Sequence, residues 1–85
     1  MKNIKILITG SAGYIGSCLS AYLNKRFTVY NLDKKKTNQK KFFKINLKNK
    51  EKLNLLLKKI KPQIIIHLAG ESLVDPKKKI IYILK

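Results

Sequence analysis

Short apolar runs rich in β-branched residues recur along the chain and predict four strands. The last run contains three successive isoleucines, which is typical of a parallel strand covered on both faces. Polar segments with glycine, asparagine or proline separate the runs, as expected for turns. The predicted strands are residues 4–9, 28–32, 42–45 and 63–68.

Two segments between these runs have the period of an amphipathic helix. The first begins at Tyr14 and ends near Asn24. The second has Asn49 as a plausible N-cap and ends before Pro62. The predicted apolar stripes are Ile15, Leu19, Tyr22 and Leu23 in the first helix, and Leu53, Leu56, Leu57 and Ile60 in the second.

The order strand, helix, strand, strand, helix, strand predicts an α/β fold: the N-terminal half of a Rossmann-type doubly wound parallel sheet, truncated, with strand order 3-2-1-4. Residues 33–41 are polar and are expected to form a loop, whereas residues 80–84 fit either a helix or a strand. A sheet that ended at the fourth strand would leave residues 64–66 at an exposed edge. Such an edge would favour self-association.

The chain has 85 residues, enough for one small domain, and 45% of them are hydrophobic, which argues against a disordered basic tail. The longest apolar run, residues 80–84, is far shorter than the roughly 20 residues of a membrane span. The single cysteine, Cys18, cannot form an internal disulfide or a metal cluster. We therefore expect a soluble, cytoplasmic protein with no metal site.

The net charge of +16 opens an alternative reading, a basic nucleic-acid-binding module. The lysines would neutralise phosphates, and Phe42 and Phe43 would stack on bases. However, Arg26 is the only arginine, and arginine is the residue preferred for specific base recognition. The lysines are also scattered through all segments, which favours solvated surfaces and argues against sequence-specific nucleic-acid recognition.

Three glycines, Gly10, Gly13 and Gly16, recur every third residue between the first strand and the first helix. This G-x-x-G-x-x-G spacing is typical of a dinucleotide-binding turn. The first glycine permits a tight turn, the second lets the backbone approach a pyrophosphate, and the third lets the helix pack closely on the sheet. The sequence therefore predicts a phosphate site at the helix N-terminus.

Asp33 ends the second predicted strand, 20 positions after Gly13. An acidic residue at this distance from the glycines is expected to accept hydrogen bonds from the adenosine ribose and to repel a 2′-phosphate. The sequence thus favours NAD over NADP, although Lys34, Lys35 and Lys36 follow directly and would attract a phosphate. The alternative is that Asp33 is an ordinary turn residue.

Residues 5–16, Asp33 and residues 61–70 together resemble the NAD-dependent epimerase/dehydratase family, the extended short-chain dehydrogenase/reductases that act on nucleotide sugars. The resemblance extends to Pro76. It implies a pyrophosphate site at the glycines, the adenosine ribose at Asp33, the adenine near residues 46–47, and the nicotinamide half above residues 68–70. The implied cofactor-binding residues are Gly10, Gly13, Tyr14, Ile15, Gly16, Asp33, Asn46, Leu47, Leu68, Ala69 and Gly70.

The resemblance also implies a catalytic tyrosine and lysine and a sugar-binding domain, all beyond position 85. We therefore expect no catalytic residue in this chain, and a nucleotide-sugar substrate only for a full-length relative. Asn46 departs from the aspartate that the family usually has, which retains an acceptor for adenine but removes the charge. His67, at the end of the fourth predicted strand, has no obvious catalytic partner and is interpreted as a structural residue.

Overall fold

The computed structural model describes residues 4–68 and 81–83, which form two helices and one five-stranded sheet. The strand order is β3-β2-β1-β4-β5, and the first four strands are parallel. The predicted fold class and the order 3-2-1-4 are therefore confirmed. The strands are β1 (Lys5–Thr9), β2 (Thr28–Asp33), β3 (Phe42–Lys44), β4 (Ile64–His67) and β5 (Ile81–Ile83).

The fifth strand corrects the expectation of an open edge at β4. β5 pairs antiparallel with β4, with Ile64 opposite Ile83 and Ile66 opposite Ile81. The C-terminal apolar run therefore forms a strand, and its backbone satisfies the hydrogen-bonding groups of β4 that would otherwise face outward. Residues 64–66 are therefore not an open edge, and self-association through an exposed sheet edge stays a prediction.

The helices α1 (Tyr14–Leu23) and α2 (Lys50–Ile60) each pack with one of two apolar clusters. Alternate residues of a strand point to opposite faces, so Leu7 belongs to one cluster while Ile6 and Ile8 belong to the other. The cluster with Leu7 also contains the α2 residues Leu53, Leu56 and Ile60. The predicted stripe of α2 is thus confirmed as its buried face.

The predicted stripe of α1 is only partly correct. Leu19 and Leu23 pack against the cluster around β1, but Ile15 and Tyr22 are both 65% exposed. The buried residues of α1 are instead Gly16 and Ser20. Small residues at the contact let the helix approach the sheet closely, and the side chains of Ile15 and Tyr22 lie outside this contact.

The first helical crossover connects β1 to β2, whereas β4 lies on the other side of β1. This reversal of strand order creates a crevice beyond the carboxyl ends of the strands, where open α/β sheets bind ligands. The backbone N–H groups of Gly10 and Ser11 donate to the Leu32 carbonyl oxygen at 2.9 and 3.3 Å, which holds the β1–α1 turn at the end of β2. Within the described residues, no helix is long and apolar enough to cross a membrane.

Candidate functional site

The three glycines of the β1–α1 turn serve different needs. Gly10 has a positive φ of 78°, a conformation that disfavours other residues. At Gly16, a Cβ atom would lie only 2.4 Å from the Gly10 carbonyl oxygen. Gly13, by contrast, has an extended conformation (φ −73°, ψ 173°), and a Cβ there would lie 3.6 Å from the same oxygen, an ordinary contact. The fold therefore requires Gly10 and Gly16, while the open space at Gly13 is not explained by packing.

This open space lies at the N-terminus of α1. Gly13 is the N-cap and supplies no side-chain acceptor, and the first helical turn contains no acidic residue. The first helical hydrogen bond runs from Ser17 N–H to the Gly13 carbonyl oxygen at 2.9 Å. The N–H groups of Tyr14, Ile15 and Gly16 therefore have no acceptor within the described part of the chain, and they mark the positive end of the helix dipole.

Asp33 holds the glycine-rich turn in place. Its Oδ2 accepts a hydrogen bond from Ala12 N–H at 2.9 Å, and its Oδ1 accepts one from Lys35 N–H at 3.0 Å. A carboxylate has about four lone-pair sites, so each oxygen can still accept one further hydrogen bond. The half-buried side chain thus has a structural role that the motif did not reveal, and it retains the capacity to bind a hydroxyl group.

Gln39 is a site residue that the sequence analysis missed. Its Nε2 donates to the Ser11 carbonyl oxygen at 2.9 Å, which ties the β2–β3 connection to the glycine-rich turn. Near the end of the connection, the buried Asn31 donates from Nδ2 to the Lys40 carbonyl oxygen at 2.9 Å. The polar composition of residues 33–41 predicted only a loop, and it contained no signal for these contacts.

Asn46 and Leu47 lie in the connection that follows β3. Asn46 is exposed, and its Oδ1 accepts a hydrogen bond from Lys48 N–H at 2.9 Å, which forms a local turn. The Leu47 side chain is buried in the cluster beneath α2, so only its backbone can face a ligand. Their contact with adenine stays a prediction.

Three predicted positions follow β4 directly. Leu68 N–H donates to the Thr9 carbonyl oxygen at 2.9 Å and so extends the β1–β4 pairing to the ligand edge of the sheet. Ala69 and Gly70 lie outside the described residues. His67 is fully buried, and its Nδ1 lies 2.6 Å from Oγ1 of the buried Thr9. This contact between neighbouring strand ends supports the structural interpretation of His67 and identifies Thr9 as its partner.

The phenylalanines of the nucleic-acid alternative are not free to stack on bases. Phe43 packs against Tyr30, with ring centroids 6.2 Å apart, beside the cluster on the α2 side. Phe42 is also partly buried. Phe42 and Phe43 are therefore not the exposed aromatic platforms on which single-strand binding depends, and the alternative itself stays a prediction.

The sheet order and the glycine-rich turn together define a Rossmann-type α/β protein. The profile of the NAD-dependent epimerase/dehydratase family matches residues 6–81, and the chain belongs to this family. The dTDP-D-glucose 4,6-dehydratase of Dictyostelium discoideum is 41% identical over 88 aligned positions, which cover 84% of this chain and 20% of the dehydratase.

Two solved structures share the fold. The UDP-glucose 4-epimerase of Thermus thermophilus, solved in complex with NAD, superposes with a TM-score of 0.68 and 29% identity, covering 87% of this chain and 28% of the epimerase. The L-threonine dehydrogenase of Phytophthora infestans gives a TM-score of 0.70 with 26% identity, covering 76% of this chain and 22% of the dehydrogenase. The chain therefore spans between 20% and 28% of the length of these relatives.

Proposed function

We propose that this chain binds NAD and corresponds to the N-terminal cofactor-binding segment of a nucleotide-sugar epimerase or dehydratase. The observation that carries the proposal is Gly13. The fold does not require a glycine at this position, yet its missing side chain leaves open the three N–H groups at the start of α1. Membership of an NAD-dependent family and the likeness to an NAD-bound epimerase support the same assignment.

In this proposal, the N–H groups of Tyr14, Ile15 and Gly16 donate to the pyrophosphate, and the open backbone at Gly13 permits close approach. Asp33 accepts hydrogen bonds from the adenosine ribose with its remaining lone pairs. Its negative charge repels a 2′-phosphate, so NAD is preferred over NADP. NAD, when bound, would supply a hydride acceptor.

The remaining predicted contacts concern the two ends of the cofactor. Asn46 and the Leu47 backbone would contact the adenine, and Leu68, Ala69 and Gly70 would lie beneath the nicotinamide half. We assign no catalytic residue and no sugar contact to this chain, and we propose a cytoplasmic location. The isolated 85-residue chain is expected to have no epimerase or dehydratase turnover, measured by product formation from a nucleotide sugar with NAD.

Gly13→Val tests the cofactor site. The valine side chain fits the local backbone conformation but fills the space through which a pyrophosphate approaches. We expect wild-type protein to bind NAD in calorimetry at about 0.15 M salt, where exposed charges are screened. Gly13→Val should abolish this binding while retaining the native circular dichroism spectrum.

The matched control is Ala21→Val, which adds similar bulk at an exposed position of the same helix. It should leave NAD affinity within about twofold of wild type, a difference of less than 0.5 kcal/mol. Folded wild-type protein that binds no NAD, or Gly13→Val protein that binds NAD as wild type does, would contradict the proposal. Nucleic-acid binding that keeps a sequence preference at this salt concentration would instead favour the alternative.

A further inference from the structure

A single peptide unit of the glycine-rich turn is held from both sides by the connection that follows β2. The Ser11 carbonyl oxygen accepts from Gln39 Nε2 at 2.9 Å, and the N–H group of the same peptide, that of Ala12, donates to Asp33 Oδ2 at 2.9 Å. This peptide, between Ser11 and Ala12, lies one residue before Gly13. Its orientation therefore determines where the N-terminus of α1 lies relative to the Asp33 carboxylate.

The Gln39 amide is itself oriented by Thr37. Thr37 Oγ1 donates to Gln39 Oε1 at 2.9 Å and accepts from the Gln39 backbone N–H at 3.2 Å. Because the hydroxyl proton points to Oε1, the amide nitrogen is left to face Ser11. The contact with Ser11 is thus a directed hydrogen bond from a side chain whose rotation is restricted.

The connection that presents Gln39 is also fixed close to both ends. Lys35 N–H donates to Asp33 Oδ1 at 3.0 Å near its start, and Asn31 N–H donates to the Lys41 carbonyl oxygen at 2.9 Å near its end. Asn31 is only 2% exposed, so this second anchor belongs to the buried sheet. Because both ends of the connection are fixed, Gln39 is held in place beside the turn. Its hydrogen bond to Ser11 therefore connects the adenosine side of the proposed site, at Asp33, to the pyrophosphate side, at the start of α1.

We propose that Gln39 is a positioning residue that couples the two halves of the site, so that an adenosine diphosphate group is bound as one unit. This inference rests on the proposed NAD site and specifies its minimal ligand. A preorganised site loses less conformational freedom on binding, and this benefit is largest for a ligand that spans both halves. AMP or inorganic pyrophosphate, each of which occupies one half, gains little from the coupling.

The test compares Gln39→Met with the control Asn38→Leu. Methionine keeps the length of glutamine but cannot donate a hydrogen bond, and Asn38 is an exposed neighbour in the same connection. Affinities for ADP, AMP and inorganic pyrophosphate are measured by calorimetry at about 0.15 M salt. Gln39→Met should weaken ADP binding about fivefold, the typical effect of one neutral hydrogen bond, and change AMP and pyrophosphate binding less than about twofold.

An NMR measurement on the wild-type protein tests the coupling without requiring that any variant folds. In this proposal inorganic pyrophosphate contacts only the glycine-rich turn. Its binding should nevertheless shift the backbone amide resonance of Thr37, because Gln39 links Thr37 to the turn. The same shift should occur in Asn38→Leu and disappear in Gln39→Met. Unchanged ADP affinity in Gln39→Met, an equal loss for all three ligands, or no Thr37 shift in wild type would overturn the coupling while NAD binding stands.

Discussion

The two helices in the described part of the chain begin in opposite ways. At the start of α2, Asn49 Oδ1 accepts from Lys52 N–H at 3.2 Å, and Glu51 lies in the first turn near the positive end of the dipole. At the start of α1, the N-cap is Gly13, with no side-chain acceptor and no acidic residue. The chain satisfies the N-terminus of α2 with its own side chains and leaves that of α1 open to a ligand.

The helices also differ in how they are attached to the sheet. α2 buries three large aliphatic side chains, Leu53, Leu56 and Ile60. α1 buries only Gly16 and Ser20, and Tyr14 at its start is 84% exposed. The attachment of α2 depends on apolar area, whereas that of α1 depends on close backbone approach. A substitution at Gly16 is therefore a question of clash rather than of lost hydrophobic surface.

The largest expected effect is that of Gly16→Ala. The new Cβ would lie 2.4 Å from the Gly10 carbonyl oxygen and 2.9 Å from the Ser11 Cα, so α1 or the turn must move. We expect a loss of about 3 kcal/mol or more in the free energy of unfolding, measured by urea denaturation. Gly13→Ala is the control, and it should remain within about 1 kcal/mol of wild type. Equal stability of the two variants would show that the close approach does not hold α1.

Asp33→Ala should have the next largest effect. The substitution removes the acceptor of the Ala12 N–H group, and a hydrogen bond to a charged group contributes about 1.5–3 kcal/mol. Stability should fall by about 2 kcal/mol. NAD affinity should fall more than NADP affinity, because the adenosine ribose loses an acceptor and the charge that repels a 2′-phosphate is removed. Urea denaturation and calorimetry measure the two effects.

Asp33→Asn separates the two roles of this residue. Asparagine keeps an oxygen that can accept from Ala12 N–H, but it removes the charge that would repel a 2′-phosphate. Most of the stability should return, and the preference for NAD over NADP should decrease. An unchanged ratio of the two affinities in Asp33→Asn would remove Asp33 from the ribose site.

The parallel part of the fold follows from local signals in the sequence. The stripe of α2, its Asn49 cap and the strand order 3-2-1-4 are all confirmed. β5 could not be assigned in advance because residues 80–84 fit two conformations, and the outcome depends on pairing with the distant β4. The exposed positions of Ile15 and Tyr22 were also missed, because periodicity identifies an apolar face without showing how closely Gly16 approaches the sheet.

The candidate site also has one part that local sequence signals predict and another that depends on contacts between distant residues. The glycine spacing predicted the turn because Gly10 and Gly16 have steric roles that few other residues can fill. The contact of Gln39 with Ser11 spans 28 positions and joins polar residues in a loop that has no periodicity. Such a contact depends on the finished path of the connection, so composition and spacing cannot reveal it.

A smaller effect is expected at the capped helix. Asn49→Ala removes the acceptor of Lys52 N–H and should lower the free energy of unfolding by about 1 kcal/mol. NAD affinity should not change, because α2 has no role in the proposed site. Asn54→Ala, at an exposed position within α2, serves as the control and should not destabilise the protein. A loss of NAD affinity in folded Asn49→Ala would indicate that the two helix ends are not independent.

The smallest change in stability, and the clearest test of the comparison, is expected when α1 receives the kind of cap that α2 has. In Gly13→Asn the side chain suits the extended N-cap conformation and can accept from the open N–H groups of the first turn. Stability should rise by a few tenths of a kcal/mol, since asparagine exceeds glycine at an N-cap by about that amount. NAD affinity should nevertheless fall at least about tenfold, or 1.4 kcal/mol, because the amide occupies the space and the donors that the pyrophosphate needs. Urea denaturation and calorimetry on the same preparation measure both changes.

If the stability and the NAD affinity of Gly13→Asn both rose, the open end of α1 would not be a ligand site. A rise in stability together with a fall in NAD affinity would mean that α1 lacks a side-chain cap because the ligand provides one.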